Sequence, residues 1–356
     1  MDSVRDLAQR LPAGMRDVLP DEMGELRALS DALRRTFVEA GYGEVWTPAL
    51  EFEEVLRAGD PHAAGASYKL FDEHGRVLAL RSDMTIPIAR LAATRLAGQT
   101  PPLRLCYFAH AYRAGPVRAD HPHEFLQAGI ELLGLDAPEG EAEVIALTLA
   151  ALRCAGLERH RVGVGDATLM PSLLRTLGID DELRKRVLDA LRRRDLVAVE
   201  RLAGGIPDRD AGELLVRAAN ARGGPEVLAP IAELVPESVR RLARLHELLA
   251  ASGDAERVIL DLGLRREFAY YTGIVFEIYD PAVGFALGGG GRYDELVSRF
   301  GRQLSGCGVA LDVQRVHVAQ AAEEGWTGAA REVGGTPRGG TRGAADRQFS
   351  AQGPLP

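Results

Sequence analysis

The chain has 356 residues, 46% of them hydrophobic and 26% charged, enough to bury a substantial core and to fold as more than one domain. Its formal net charge of −8 argues against a nonspecific grip on nucleic acid, which ordinarily needs a surplus of Lys and Arg. No apolar run approaches bilayer length, and MDSVRDLAQRLPAG lacks both the apolar stretch of a signal peptide and the acid-poor composition of a transit peptide, so a cytoplasmic protein without a membrane span is expected.

Pro20-Asp21-Glu22 sets a proline and two acids where a helix begins, and Met23, Leu26, Ser30, Leu33 and Phe37 recur at three- and four-residue steps. The spacing predicts an amphipathic helix to Ala40. Gly41-Tyr42-Gly43 ends it, and EVWTPALE then reads as a strand stopped by Pro48. SYKLFDEHGRVLALRS predicts an antiparallel pair that turns at His74-Gly75. Leu103 to His110 and Glu124 to Leu133 read as partner strands, with the polar loop from Ala114 to His123 lying over the sheet as a ligand cover. A helix follows from Ala142 to Ala155, then a short strand in HRVGVGDA.

Residues 167–250 are dominated by helical periodicity, as in DDELRKRVLDALRRRD, where Arg192-Arg193-Arg194 reads as a solvated helix face rather than a phosphate contact. YYTGIVFEIYD resumes the sheet, and GFALGGGGRYDELVSRFG predicts a glycine-floored turn and a helix start. From Ala321 the composition is rich in Gly, Arg and Thr without periodicity, so a tail lacking order is expected. The expected division is a core in two parts, 1–165 and 251–320, a helical insertion at 166–250, and the tail at 321–356.

Few of the chemically suggestive groups stand alone. Cys106, Cys154 and Cys307 are too scattered for a disulfide framework or a metal knuckle and read as small buried residues. His110, Asp120, His121 and His123 read as an exposed polar loop rather than a metal cluster, because a proline interrupts them. Gly288 to Gly291 lack the lysine of a phosphate loop and fit no GxGxxG register; bare backbone there lets a ligand lie flat, with Arg292-Tyr293-Asp294 beside it.

Five segments taken in order carry more weight: LRSDMTIPIAR (80–90), AYRAGP (111–116), EFLQAGIELLG (124–134), LRREFAYYTGIVFE (264–277) and GGGRYDEL (289–296). Together with PAGMRDVLPDE near the N-terminus they resemble the histidyl-tRNA synthetase family over residues 11–317. The resemblance implies an α+β fold, a class II aminoacyl-tRNA synthetase-like core with a mainly antiparallel sheet flanked by helices. A histidine pocket needs acceptors for an ammonium, a cation for a carboxylate and polar partners for the imidazole. By the resemblance, Asp83, Thr85 and Gln127 face the ammonium, Glu131 and Tyr271 the imidazole, and Arg113 the carboxylate or an α-phosphate. Arg266, Tyr270 and Tyr293 complete the implied set.

The departures from that family concern activation. Arg113 is followed by Gly115 where the synthetases place the glutamate that fixes adenine, and Arg118 to His123 replace a loop bearing Gln, Lys and Arg. LRPEGT has become LRSDMT, RGLDYY has become REFAYY with Ala269 for aspartate, and the GLER-like motif retains Arg315 in a changed frame. The tail from Ala321 does not read as an anticodon-binding domain, so no tRNA partner is expected. This combination resembles the synthetase-like regulatory subunits of ATP phosphoribosyltransferase. That likeness implies no catalysis and no cofactor, a short-form catalytic subunit as partner, L-histidine as effector, and a homodimer within a hetero-oligomer. The alternatives are an active synthetase or a histidine sensor for another enzyme.

Overall fold

The computed structural model describes residues 11–61, 67–115, 122–265 and 268–334, with side chains placed up to residue 325. Helix α1 (Pro20–Glu39) starts on Pro20, with Asp21 and Glu22 in the first turn against the positive end of the helix dipole. It buries Leu26, Leu29, Leu33 and Phe37 in the main core. The chain reverses at Gly41, whose φ of 88° suits glycine, and β1 (Gly43–Glu44) pairs in parallel with β5 (Leu103–Tyr112).

EVWTPALE is not one strand. Pro48 has no N–H to give a ladder, and the carbonyls of Thr47 and Pro48 accept instead from buried Arg81 Nη1 at 2.6 and 3.1 Å. The chain therefore leaves the first sheet and re-enters a second as β2 (Leu50–Phe52), followed by helix α2 (Glu53–Gly59). The second sheet has the order β2-β4-β3, with β3 spanning Lys69–Phe71 and β4 Val77–Leu80. Its hairpin turns as expected: the Asp72 carboxylate accepts from the backbone of His74 and Arg76, and Gly75 takes φ 76°. Helix α3 (Thr85–Thr94) packs beneath it.

The large sheet has nine strands in the order β1-β5-β6-β12-β11-β10-β7-β9-β8. Among the described strands only β1–β5 and β7–β9 pair in parallel, so the sheet is mainly antiparallel. Its remaining strands are β6 (Glu124–Leu133), β7 (Arg161–Asp166), β8 (Arg222–Gly223), β9 (Val258–Asp261), β10 (Ile274–Tyr279), β11 (Ala286–Arg292) and β12 (Gly306–Asp312). Helix α4 (Glu139–Cys154) crosses its back; Cys106 and Cys307 are buried there, whereas Cys154 is exposed, contrary to expectation. The glycines expected to form a turn lie within β11. Gly288 and Gly290 admit no Cβ, because it would strike the carbonyls of Ala310 and Gly308 across the β12 ladder. After Tyr293 the expected helix is a single tight turn, Val297–Phe300.

Between β7 and β9 run α5 (Leu169–Thr176), α6 (Asp181–Arg192), α7 (Leu196–Ala203), α8 (Arg209–Asn220), β8 and α9 (Pro236–Ala251). Asp180, Asp195 and Asp208 cap α6, α7 and α8 by accepting backbone N–H bonds. Leu173, Val187, Leu215 and Leu245 from this segment join the same core as the large sheet. The last helix, α10 (Val313–Gly334), runs through residues 321–334, where the composition suggests no order. Its docking explains the difference: buried Glu323 accepts from the backbone N–H groups of Glu158 and Arg159 at 3.0 and 2.9 Å. Residues 335–356 lie outside the described residues. Among those described, no helix is long and apolar enough to cross a membrane.

One buried ion pair fixes the end of β11 to α4. Arg292 is 2% exposed, donates from Nε to Glu141 Oε1 at 2.9 Å and from Nη1 to the Leu135 carbonyl at 2.9 Å, and its Nη2 meets Glu141 Oε2. Removing one partner strands the other charge in the core, which costs about 3–5 kcal/mol. Arg292→Ala is expected to lower unfolding stability by that amount in urea denaturation, and Glu141→Gln by less, because it leaves a hydrogen-bond acceptor.

Candidate functional site

The glycine-bearing face of the large sheet is the floor of a cavity of about 410 Å³. Register fixes what lies on it. Gln127 stands opposite Asp312, and Glu131 opposite Gly308. Between those rows, Gly129, Ala310, Gly289 and Glu277 align across β6, β12, β11 and β10. The floor is therefore bare in the middle and carries carboxylates at both sides.

Glu131 is 1% exposed. Its Oε1 accepts from Thr85 Oγ1 at 2.8 Å, and its Oε2 accepts from the Tyr293 hydroxyl. Gly308 leaves room for this carboxylate, since a Cβ there would collide with Oε2. Burial pushes the Glu131 carboxyl up to about 8, although both hydroxyl bonds oppose the shift. Asp83 is 3% exposed; its Oδ1 accepts from Ile86 N at 3.1 Å, holding the start of α3, while Oδ2 has no hydrogen-bond partner among the described residues. Burial raises Asp83 to about 6, and the Ile86 bond and Arg113 pull it back. Gln127 Oε1 is likewise buried without a partner among the described residues. Two acceptors, one anionic at neutral pH, thus face the same cavity, and buried acceptors of this kind call for a donor or a cation.

Aromatic rings close one side. Phe268 and Tyr270 stack with centroids 5.1 Å apart, Tyr271 lies 4.9 Å from Tyr270, and Tyr293 meets Tyr270 edge-on at 5.9 Å. Arg113 lies over the Phe125 ring at 4.8 Å and Arg315 over Phe285 at 5.3 Å. Arg315 also donates to the Ala286 carbonyl at 2.9 Å.

Seven of the nine residues expected from the sequence line this one cavity, and Glu131 sits directly beneath Thr85 and Tyr293. Arg266 lies outside the described residues, as do Arg118, Ala119, Asp120 and His121 of the cover loop. Three placements differ from expectation. His123 is buried rather than exposed, hydrogen-bonded through Nδ1 to the Tyr68 hydroxyl at 2.6 Å and packed on Gly14, whose missing Cβ makes room for the ring. Arg292 points away from the cavity into Glu141. Arg192 and Arg194 are exposed at the end of α6, as expected, yet also line the cavity, and Arg265 joins them. Glu277 is a further lining residue that sequence spacing does not single out; its position opposite Gly289 was the available signal. Among the described residues no group of three or more His, Cys, Asp or Glu is placed to hold a metal.

This geometry has counterparts in known proteins. The family model for histidyl-tRNA synthetase matches residues 14–316. The apo histidyl-tRNA synthetase of S. aureus shares the fold at TM-score 0.60 and 20% identity, covering 88% of this chain and 71% of that one. The chain belongs to the histidyl-tRNA synthetase family, a class II synthetase fold. Within it, the chain falls with the ATP phosphoribosyltransferase regulatory subunits. Relatives bearing that name are 43% identical in Symbiobacterium thermophilum, over 87% of this chain and 80% of theirs, and 40% identical in Moorella thermoacetica, over 88% and 83%. A solved structure from Bacillus halodurans described as an ATP phosphoribosyltransferase regulatory subunit/histidyl-tRNA synthetase superposes at TM-score 0.82 and 32% identity, over 87% of this chain and 83% of that one.

A raised carboxyl has a consequence for stability without any ligand. Above the ordinary glutamate pKa the folded state keeps a proton on Glu131 that the unfolded chain has released, so stability falls as pH rises toward 8. Thermal melts of the ligand-free protein between pH 6 and 9 are expected to show this decline, and Glu131→Gln to flatten it.

Proposed function

We propose that this chain is the regulatory subunit of an ATP phosphoribosyltransferase, acting in the first step of L-histidine biosynthesis. It binds and activates a short-form catalytic subunit and takes part in feedback by L-histidine, while the phosphoribosyl chemistry stays on the partner. The main support is the pair of buried acceptors, Asp83 Oδ2 and Gln127 Oε1, that line one cavity with Thr85 and Tyr293, the two residues whose hydroxyls hold the buried Glu131 carboxyl. An α-ammonium suits the acceptors, Glu131 and Tyr271 suit an imidazole, and Arg113 suits a carboxylate. Activation of the amino acid is not part of this role. Gly115 is exposed and has no side chain to fix an adenine, and tRNA is not a partner.

Occupancy of the cavity controls the assembly only through unequal affinity for its active and inhibited forms. Self-pairing as a homodimer within the hetero-oligomer is supported by the large apolar side chains exposed around the small sheet: Trp46 at 87%, Phe71 at 74%, Leu70 at 42% and Leu50 at 39%.

Three measurements test this reading. Mixed with a short-form catalytic subunit, the chain is expected to co-purify and to raise phosphoribosyl transfer, with L-histidine reversing the gain; absence of both binding and stimulation would reject the assignment. ATP–pyrophosphate exchange with histidine is expected to be absent, and robust exchange favours a synthetase. In calorimetry, L-histidine binds without ATP and Glu131→Ala weakens it by about tenfold to a hundredfold, the worth of a hydrogen bond to a charged group, on the order of 1.5–3 kcal/mol. Because a cationic ligand favours ionised Asp83 and Glu131, binding at pH 7 releases a proton, and affinity drops as pH falls through about 8 and again through about 6. Equal heats in buffers of different ionisation enthalpy would remove Glu131 from the binding step.

A further inference from the structure

The cavity accounts for two of the three successive arginines at the end of α6. Arg192 and Arg194 line it, and Arg194, at φ 56°, meets Glu277 on β10. Arg193 stands between them, and consecutive residues at a helix end do not face the same way. It lines instead a crevice of about 150 Å³ between α6 and α7, together with Arg186 on α6 and Arg201 on α7. Arg186 and Arg193 are seven residues apart, two helical turns, and so stand on one side of α6. All three arginines are exposed, and among the described residues none has a side-chain hydrogen bond or an ion pair. The acid in the crevice, Asp189, is already paired with Arg192 at 3.2 Å. Beside this cluster stands Val197, 77% exposed and four residues before Arg201, hence on the same side of α7.

We propose that the outer face of α6 and α7, built on Arg186, Arg193, Arg201 and Val197, is a docking surface for an acidic segment of the catalytic subunit. This face presupposes that the chain is a regulatory subunit with such a partner. Arginine is the cation enriched at protein interfaces, because its planar fork takes a carboxylate by two hydrogen bonds. Three of them around so small a crevice suit individual carboxylate side chains, and Val197 supplies the apolar contact that shields such pairs from water. A nucleic acid fits this face less well. It needs a basic track for successive phosphates, whereas residues 167–250 as a whole balance their charges and Arg209 on α8 is paired with Glu213. In a chain of net charge −8, an unpaired cationic cluster is a local exception that steers an acidic partner to one orientation. Its place in the fold gives the contact a consequence. The residues on either side of Arg193 line the cavity, and Arg194 is paired with Glu277 on its floor, so a partner that fixes the end of α6 and a ligand in the cavity act on the same three residues.

The test is the affinity of the full chain for a short-form catalytic subunit, measured by calorimetry at low and at moderate salt. The wild type is expected to bind more weakly as salt rises, and Arg186→Glu/Arg201→Glu to bind about tenfold or more weakly than wild type at low salt, with a flatter response to salt. Arg186→Lys/Arg201→Lys, which keeps the charge and loses the fork, is expected to fall between them. Both positions are exposed and line no part of the large cavity, so thermal melts of the variants are expected to match wild type; should the double variant not fold, Val197→Asp, which sets a negative charge on the same face, decides in its place. Wild-type affinity in the reversed variant overturns the docking face and leaves the regulatory assignment standing. No binding of the catalytic subunit to the wild type overturns both. Binding of a duplex RNA oligonucleotide that the reversed variant loses, with subunit binding unchanged, gives the crevice to nucleic acid and overturns the protein partner.

Discussion

A carboxylate buried to the depth of Glu131 is costly, and the architecture around the cavity follows from how that cost is met. Two hydroxyls bond it, one from Thr85 at the start of α3 and one from Tyr293 just past β11, and the floor opposite must be glycine. Segments separated by 46 and 162 residues along the chain have to arrive together at one side chain. Other fixed points make that possible. Arg292, adjacent to Tyr293, is pinned into Glu141 on α4, and Arg81, shortly before Thr85, is pinned to the carbonyls of Thr47, Pro48 and His110. In each case an arginine that points away from the cavity sets the position of a neighbour that points into it.

Local grammar made much of this fold readable. The β3–β4 hairpin announces itself through Asp72, His74 and Gly75, and α1 through its proline and acids, because turns and helix starts are decided within a few residues. What escaped depended on partners distant in sequence. The break in EVWTPALE is set by Arg81, 33 residues beyond Pro48. A run of glycines has no strand propensity of its own, and only the carbonyls of β12 explain why β11 needs them. Helix α10 persists past Ala321 because Glu323 finds the backbone of Glu158 and Arg159, an interaction that composition cannot register.

The site was legible in a different way. No spacing rule joins Asp83, Gln127, Glu131 and Tyr293; the order of their motifs does, and the sheet register then places Gln127 and Glu131 on one face. Arg192 and Arg194 were missed for a physical reason. As part of a continuous helix, three successive arginines spread around the axis and read as a wet surface. A single left-handed residue at Arg194 ends that helix and turns its side chain toward Glu277.

That turn ties the helical segment between β7 and β9 to the floor of the cavity. Arg194 bridges to Glu277 and Tyr279 on β10, while Arg241 on α9 donates to Asp166 at the end of β7, the neighbouring strand. A bound ligand shifts its surroundings only as far as it favours one arrangement of groups over another. Here the groups at the β10 end belong to two bodies of structure at once, since Glu277 is both a wall of the cavity and the anchor of the α6 end. A ligand that competes for Arg194 or reinforces its pairing changes how firmly α6 is held to the sheet. At the Glu131 end the bonds run between α3, β6 and the residue after β11, all within the sheet core. The two ends of this floor are therefore held by different parts of the fold, with bare glycine backbone between them.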